Sequence, residues 1–261
     1  MKWCKKQCDQ MYTAIKKLVK KVFPKEFLSR NEFFFRKVAA LPYLGNKYEC
    51  NICRVKLNRF ITLNNDLLCP ACGSRSRTRQ LWDYLNSNNL LQGSILHFSP
   101  SSSLNKAIAS LESVNYTSTD FENEFQASEN YDITNLPVEN DRFDLIICFH
   151  ILEHIVEDKE AMSEVYRALK PNGTILIQTP FKDGDIYENK NIRTEEERER
   201  EFGQKDHVRI YSLEGLVKRF RQVNQDAKIE IQQLEPKLEN GMHEDIFIQA
   251  IKPLPAVNAS T

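Results

Sequence analysis

The stretch FDLIICFHILEHIVEDKEAMSEVYRALKPNGTILIQTP, residues 143–180, decides the fold class. Its first seven residues, 143–149, form an apolar run of the kind found in strands that are buried within a parallel sheet. A helical pattern with one apolar face follows over 158–170 and stops before the PNG segment at 171–173. The segment TILIQ, 174–178, then reads as another strand. A strand, a helix and a second strand in this order predict an α/β unit with a parallel sheet.

The segments on either side of this unit continue the alternation of strands and helices. Upstream, a strand at 94–98, a helix at 103–113 and a strand ending at Asp120 are predicted, followed by the short segment YDIT at 131–134. Downstream, Ser212 is a candidate N-cap for a helix, and two strands at about 228–234 and 244–251 follow without a helix between them. These last two strands must therefore pair as an antiparallel hairpin.

The stretch GSILHFSPSSSLNKAI, residues 93–108, is the place where a nucleotide-like ligand is expected. It reads as a strand, a tight turn and a helix, and such turns are normally rich in glycine. Here serines stand where glycines are expected, and no glycine occurs from residue 94 to residue 172. Serine hydroxyls can instead cap the following helix and help to hold a carboxylate at its N-terminus.

The hairpin ending and the stretch 143–180, with RALKPNG before its last strand, carry a family resemblance. Over residues 93–251 the chain resembles the class I S-adenosylmethionine-dependent methyltransferases, especially the ubiquinone and menaquinone biosynthesis enzymes. The resemblance implies a doubly wound, seven-stranded, mostly parallel sheet with a C-terminal antiparallel hairpin. It also implies that S-adenosyl-L-methionine is the methyl donor.

The resemblance assigns donor-binding roles to residues at the ends of the predicted strands. His97 stands at the position of the family's acid, and serines stand at the three glycine positions: Ser99, Ser101 and Ser103. Asp120 matches the acid that accepts the ribose hydroxyls. Asp132 and Ile133 match the pair that lies along the adenine. The expected cofactor-binding set is therefore His97, Ser99, Ser101, Asp120, Asp132 and Ile133, together with His150, which follows the strand 143–149.

Two histidines are the candidates for proton transfer in methyl transfer. His207 lies in the long segment 181–211, which is expected to form a lid over the donor, and is the candidate general base. His150 is expected to shape the pocket at the carboxyl edge of the sheet. The resemblance implies a packing role for His154. Within the lid, Thr194 and Glu197 have the spacing of a capping box.

Four of the seven cysteines indicate a second module. Cys50 and Cys53 form one CxxC pair, and Cys69 and Cys72 form another after fifteen intervening residues. This spacing is typical of a zinc ribbon, in which four thiolates complete a structural tetrahedral Zn²⁺ site. Two disulfides or free core thiols are the alternatives. The nearby arginines 75, 77 and 79 are suited either to nucleic-acid phosphates or to ion pairs within the protein.

The chain has no net charge, but its N-terminal part is basic. Residues 1–47 carry twelve Lys/Arg against three acids, and the pattern around Met11–Val22 predicts a basic amphipathic helix. Such a helix either packs on its own protein, contacts a membrane surface or another partner weakly, or lies on nucleic acid. The predicted organisation is a basic helical arm (1–47), a zinc ribbon with a connecting helix (48–92), a methyltransferase domain (93–252) and a flexible tail (253–261). A cytoplasmic location is expected, since no signal peptide or membrane span is evident.

The expected function is methyl transfer from S-adenosylmethionine to oxygen or nitrogen of a small-molecule or glycan-type acceptor. One alternative is RNA methylation with the zinc ribbon contacting RNA. Another is a non-catalytic binding protein that has lost donor binding with its glycines. Asp120 and Asp132 favour an enzyme over this last alternative.

Overall fold

The structure is a computed structural model that describes residue 27 and residues 31–63, 65–122 and 126–255. The helix predicted around Met11–Val22 lies outside these residues, as do Cys4, Cys8 and the last six residues of the predicted tail. None of the helices in the described part of the chain is long and apolar enough to cross a membrane. The chain packs as two compact units, one of which contains residues up to 88, 101–107 and 234–245.

The first unit is small and is built around the four cysteines. Its elements are α1 (Glu32–Ala40), β1 (Leu44–Glu49), β2 (Lys56–Leu57), β3 (Ile61–Leu63), β4 (Asp66–Leu68) and α2 (Ser76–Ser87). The strands form two antiparallel pairs, β1 with β2 and β3 with β4. The buried cysteines share a core with apolar side chains that include Tyr43, Leu57, Phe60, Ile61 and Leu68. Short 3-10 helices lie at Leu41–Tyr43 and Leu238–Asn240.

The second unit is built around one six-stranded sheet. Its strands are β5 (Gly93–Phe98), β6 (Val114–Thr119), β7 (Phe143–Phe149), β8 (Leu169–Gln178), β11 (Lys228–Leu234) and β12 (Asp245–Ile251). Helix α3 (Ser102–Ala109), most of which belongs to the first unit, follows β5 in the chain. In the second unit, α4 (Asp158–Ala168) precedes β8, and α6 (Leu213–Val223) precedes β11. Between β8 and α6 lie β9 (Tyr187–Glu188), α5 (Glu195–Phe202) and β10 (Arg209–Ile210), with β9 and β10 paired antiparallel.

The strand order across the sheet is β11-β12-β8-β7-β5-β6. Strands β6, β5, β7 and β8 are parallel, whereas β12 pairs antiparallel with β8. Strand β7 lies inside the sheet, and Leu145, Ile146, Ile147 and Cys148 are each at most 1% exposed, which explains its nearly continuous apolar sequence. The predicted parallel sheet and antiparallel C-terminal pair are thereby confirmed.

Within the part of the chain that the structure describes, the sheet has six strands rather than the seven expected. Of the described residues between β6 and β7, which include the segment YDIT at 131–134, only Glu129 pairs with the sheet, through an isolated bridge to Thr119. Asp132 turns the chain locally, since its carboxylate accepts hydrogen bonds from the backbone and the hydroxyl of Thr134. Pro137 follows and cannot donate to a ladder. Local turn chemistry therefore prevents a strand here.

The helix ends before the PNG segment as predicted, and the PNG segment itself lies within β8. Helix α4 ends at Ala168, and Leu169 already has extended backbone angles. The amide of Asn172 donates to the carbonyl of Lys252, and the amide of Lys252 donates to that of Gly173. Backbone pairing with the segment after β12 therefore draws these residues into the strand, with an irregular register against β7.

Two helices begin with the side-chain caps that the sequence predicts. Thr194 and Glu197 form the capping box at the start of α5. The Ser212 hydroxyl accepts a hydrogen bond of 3.1 Å from the amide of Gly215 at the start of α6. These caps set where the segment between β8 and α6 becomes helical.

His97 on β5 makes stability depend on pH. It is 3% exposed, and burial lowers its pKa from 6.5 to about 3. In the unfolded chain His97 binds a proton below its ordinary pKa, whereas in the fold it stays neutral, so stability falls as the pH drops from about 6.5 towards 3. We expect His97→Gln to flatten this dependence by up to about 1.4 kcal/mol per pH unit.

The measurement is urea unfolding at a series of pH values, with His243→Gln as the exposed-histidine control. Equal slopes for His97→Gln and the wild type would show that His97 does not titrate in the way its burial implies.

Candidate active site and metal centre

The turn after β5 is closed by a hydrogen bond between Ser99 and Asp120. Ser99 has a φ of 42°, in the left-handed region where glycine is favoured. Its amide donates to the carbonyl of Thr119, and its hydroxyl donates to Asp120 Oδ1 at 2.6 Å. Asp120 is 4% exposed and directly follows β6. The serine that replaces the first glycine therefore adopts the glycine-like backbone and also orients the acid.

The other serines of the stretch lie at the start of α3. Ser103 is buried, and its hydroxyl is 3.4 Å from that of Ser101. The amides of Leu104 and Asn105 donate to the carbonyl of Ser101, which begins the helix. His97 contacts Tyr116, whose hydroxyl is 3.1 Å from His97 Nδ1. Because the His97 ring is buried and neutral, it does not reproduce the negative charge of the family's acid.

The two residues expected along the adenine differ in exposure. Asp132 is exposed and binds Thr134 through one carboxylate oxygen. Ile133 is 4% exposed and belongs to the main core. Their assignment to the donor stays a prediction.

A cluster of titratable side chains occupies the turn after β7. His150 has a φ of 58°, which for a residue other than glycine is a strained conformation typical of functional sites. Its amide donates to the carbonyl of Gln178 at the end of β8. His150 Nδ1 lies 3.2 Å from Glu153 Oε1, so the carboxylate orients the imidazole. His150 Nε2 and Glu153 Oε2 are both buried without a hydrogen-bond partner among the described residues.

His154 and His207 also lie close to Glu153. The two rings are in edge contact, with centroids 4.7 Å apart and planes at 88°. His154 Nδ1 is 3.1 Å from Asp206 Oδ2. His207 is 3% exposed, and burial lowers its pKa, with His154 lowering it further. The structure thus brings His150 and His207, the two predicted catalytic residues, to the same Glu153.

Arg209, at the start of β10, fixes the turn that carries this cluster. Its guanidinium donates to the backbone carbonyls of Leu152, Ile155 and Val156. It also pairs with Glu188 at 3.0 Å. The amide of Val208 donates to the carbonyl of Glu153, which ties the segment before β10 to the same turn.

The four cysteines predicted to bind zinc are brought together. All four Sγ atoms lie within 4.8 Å of one another, and the pairs Cys50–Cys72 and Cys53–Cys69 are each 3.7 Å apart. Sulfurs around a tetrahedral Zn²⁺ at about 2.3 Å are separated by about 3.8 Å, whereas a disulfide bond is about 2.05 Å long. The described thiols are free and these sulfur pairs lie farther apart than in a disulfide bond, so this geometry fits a Cys4 zinc site.

The guanidinium of Arg79 lies against the cysteine knuckle. It is fully buried and donates to four backbone carbonyls, which belong to Leu67, Ser74, Asn240 and Gly241. Burial lowers its pKa, and the charge of the neighbouring thiols opposes that shift. A cation here would offset the excess negative charge of four thiolates on Zn²⁺. Arg79 is therefore structural and does not contribute to a nucleic-acid surface.

The sequence profile of the methyltransferase domain family matches residues 66–226. The chain belongs to this family. With the sheet order given above, it has the class I methyltransferase fold and is an S-adenosylmethionine-dependent methyltransferase. Comparison of this methyltransferase with curated proteins gives no match.

Several solved structures are similar to the methyltransferase. YcgJ of Bacillus subtilis is 17% identical with a TM-score of 0.46, over 67% of this chain and 99% of that one. Phosphoethanolamine N-methyltransferase 2 of Haemonchus contortus, in complex with S-adenosyl-L-methionine, is 16% identical with a TM-score of 0.48, over 67% and 52%. The 1,6-didemethyltoxoflavin-N1-methyltransferase of Burkholderia thailandensis is 15% identical with a TM-score of 0.46, over 67% and 78%.

The sequence analysis did not identify how Glu153, His154 and Arg209 connect the predicted site residues. Glu153 was not assigned a role, although it lies between His150 and His207, and His154 was assigned to packing only. The spacing His150-x-x-Glu153-His154 was the available signal, since it places three ligating groups within one turn. Arg209 was expected to orient His207, and its role in fixing the turn after β7 was not foreseen, because its carbonyl partners precede it by more than fifty residues.

We expect the purified methyltransferase to contain zinc, and Cys50→Ser to lower its content by one equivalent per chain. Structural zinc contributes its binding free energy to folding, so the variant should also unfold residues near 48–75. Elemental analysis gives the stoichiometry, and Cys148→Ser in the main core is the control. An unchanged zinc content in Cys50→Ser would contradict a Cys4 site.

We expect Asp120→Ala to weaken binding of S-adenosylhomocysteine about tenfold to a hundredfold. This corresponds to the loss of a charged acceptor worth about 1.5–3 kcal/mol. Asp120→Asn should lie between Ala and the wild type, and Ser101→Gly should bind as well as the wild type. Titration calorimetry measures the affinities, with the exposed Glu139→Ala as the control. Wild-type affinity in Asp120→Ala would show that Asp120 does not bind the ribose hydroxyls.

Proposed function

We propose that the protein transfers the methyl group of S-adenosylmethionine to an oxygen or nitrogen of a small-molecule or glycan-type acceptor. We place the donor on Ser99 and Asp120, with the remaining predicted contacts from His97, Ser101, Asp132, Ile133 and His150. The acceptor then approaches from the turn after β7. This arrangement follows the general rule that ligands of open α/β sheets bind at the carboxyl ends of the strands.

The observation that carries the proposal is the pair formed by His150 and Glu153. An imidazole with one nitrogen held by a carboxylate presents its other nitrogen in a fixed direction and tautomer. His150 Nδ1 is held in this way, and its Nε2 has no partner among the described residues. A strained backbone at φ 58° keeps the ring at the end of β7. These features are those of an oriented proton acceptor.

The transfer is an in-line displacement at carbon. The acceptor's lone pair forms the new bond to the methyl carbon while the carbon–sulfur bond breaks. The electron pair of the carbon–sulfur bond goes to sulfur. The acceptor proton passes to His150 Nε2. Because the sulfonium is already activated, the protein's contribution is alignment and removal of this proton.

This assignment exchanges the roles predicted from the sequence for the two histidines. His207 was the expected base and His150 the residue that shapes the pocket. Burial lowers the pKa of His207, and a lower pKa weakens it as a base. His150 is more open to solvent, with 22% of its side chain exposed. We therefore assign proton removal to His150.

We expect His150→Gln to lower turnover by about 10²–10⁴, the usual contribution of a positioned base. The activity that remains should rise with pH, since the acceptor then loses its proton to solvent. The measurement is methyl transfer over about pH 6–9, with His243→Gln as the control. Wild-type turnover in His150→Gln over that range would return the base role to His207.

The acceptor class is tested with labelled donor against panels of amines, phenols, sugars and RNA. We expect label in a small molecule or glycan. Label in RNA alone would favour the alternative of an RNA methyltransferase. Binding of S-adenosylhomocysteine without transfer to any panel would favour a non-catalytic binding protein.

A further inference from the structure

We propose that Glu153, His154 and His207 bind a divalent first-row transition-metal ion, with Zn²⁺ and Mn²⁺ as the candidates. The ion would lie next to His150, at the carboxyl end of β7. Metal binding itself does not depend on the proposed function, whereas the use of the metal in acceptor binding rests on it.

The three side chains are close enough to share one ion. One ligand atom from each lies within 4.8 Å of the other two. Ligands bonded at about 2.1 Å lie about 3–4 Å apart around a metal, so small side-chain rotations close the set. Glu153 and His154 come from the turn after β7, and His207 comes from the segment before β10, which a backbone hydrogen bond of 2.9 Å joins to Glu153.

An unsatisfied buried carboxylate oxygen is the independent sign of a ligand. Glu153 is 1% exposed; its Oε1 binds His150, and its Oε2 has no hydrogen-bond partner among the described residues. A buried acceptor without a partner costs about 1–3 kcal/mol, and more when it carries charge. Packing of the histidine rings leaves this cost in place. A cation bound at Oε2 removes it.

Both histidines have the outer partners that metal ligands usually have. His154 Nδ1 faces the carboxylate of Asp206 at 3.1 Å, which leaves Nε2 as the nitrogen that we assign to the metal. The His207 ring lies near the backbone carbonyl of Phe202. A carboxylate or carbonyl on the second ring nitrogen fixes the tautomer and increases the basicity of the first.

The donor set defines the kind of metal and its use. Two imidazoles and one carboxylate suit zinc and other first-row ions and leave coordination positions open. An acceptor hydroxyl bound at an open position would lose its proton more readily, because a metal ion lowers the pKa of an oxygen ligand. Glu153 would then serve both groups, with Oε2 on the metal and Oε1 on His150.

The test is Mn²⁺ titration of the full-length protein, without donor or acceptor, followed by electron paramagnetic resonance of the free ion. Mn²⁺ is chosen because Cys4 sites favour Zn²⁺, so the ribbon remains occupied. We expect one Mn²⁺ bound per chain, displaced by one added equivalent of Zn²⁺. His154→Gln, His207→Gln and Glu153→Gln should each weaken binding by at least about tenfold.

Asp206→Asn is the second variant. It changes an exposed side chain, so we expect it to fold normally and to test the site even if substitution of a ligand prevents folding. It should weaken Mn²⁺ binding by about tenfold, the usual effect of losing an outer partner. His243→Gln, an exposed histidine elsewhere, should bind like the wild type. Absence of stoichiometric binding, or wild-type affinity in Asp206→Asn and the ligand variants, would overturn the metal site. Methyl transfer that persists without this binding would leave the proposed function intact.

Discussion

The buried guanidinium of Arg209 is the interaction on which the geometry of the active site depends. It is 5% exposed, and it donates to three carbonyls of the turn between β7 and α4. A buried charge is tolerated only when its hydrogen-bonding groups are satisfied, and loss of a partner typically costs about 3–5 kcal/mol. The turn must therefore keep the shape that matches the guanidinium, and that shape sets the directions of Glu153 and His154.

The same arginine is part of a network that joins the segment between β8 and α6 to the sheet. Asp158, at the start of α4, accepts hydrogen bonds from Tyr211 and from Arg219 on α6. Glu188 on β9 binds both Arg209 and Arg219, and these contacts lower its pKa to about 2, with Arg219 the larger cause. The segment that carries His207 is thus fixed by ion pairs as well as by packing. This explains why a region expected to be a lid contains a histidine with almost no exposure.

Much of the fold was predictable because it follows from local patterns. The apolar run 143–149 became β7 with the same bounds, and the caps at Thr194 and Ser212 formed as their spacing indicates. The segment YDIT at 131–134 forms no strand because Asp132 closes a turn on Thr134. The start of β8 was less predictable, because the PNG segment joins the strand through pairing with Lys252, a residue eighty positions away. A local sequence pattern carries no information about which distant segment pairs with a strand.

The residues of the candidate site were more predictable than the hydrogen bonds and contacts between them. The four cysteines came together as their spacing predicts, since both ligand pairs are local in sequence. Serine at the first glycine position was recognised as a departure from the family pattern. Its hydrogen bond to Asp120, across two strand ends, was not foreseen. Only the family resemblance placed His97 in the donor site. Its burial against Tyr116 follows from the fold.

The most direct test of this donor placement is a crystal structure of the protein with S-adenosylhomocysteine. We expect the ribose on Asp120, next to Ser99, and the sulfur directed towards His150 at the end of β7. We also expect a space for the acceptor between the sulfur and His150 Nε2. Ligand bound away from the ends of β5, β6 and β7, or a sulfur directed away from His150, would contradict this placement.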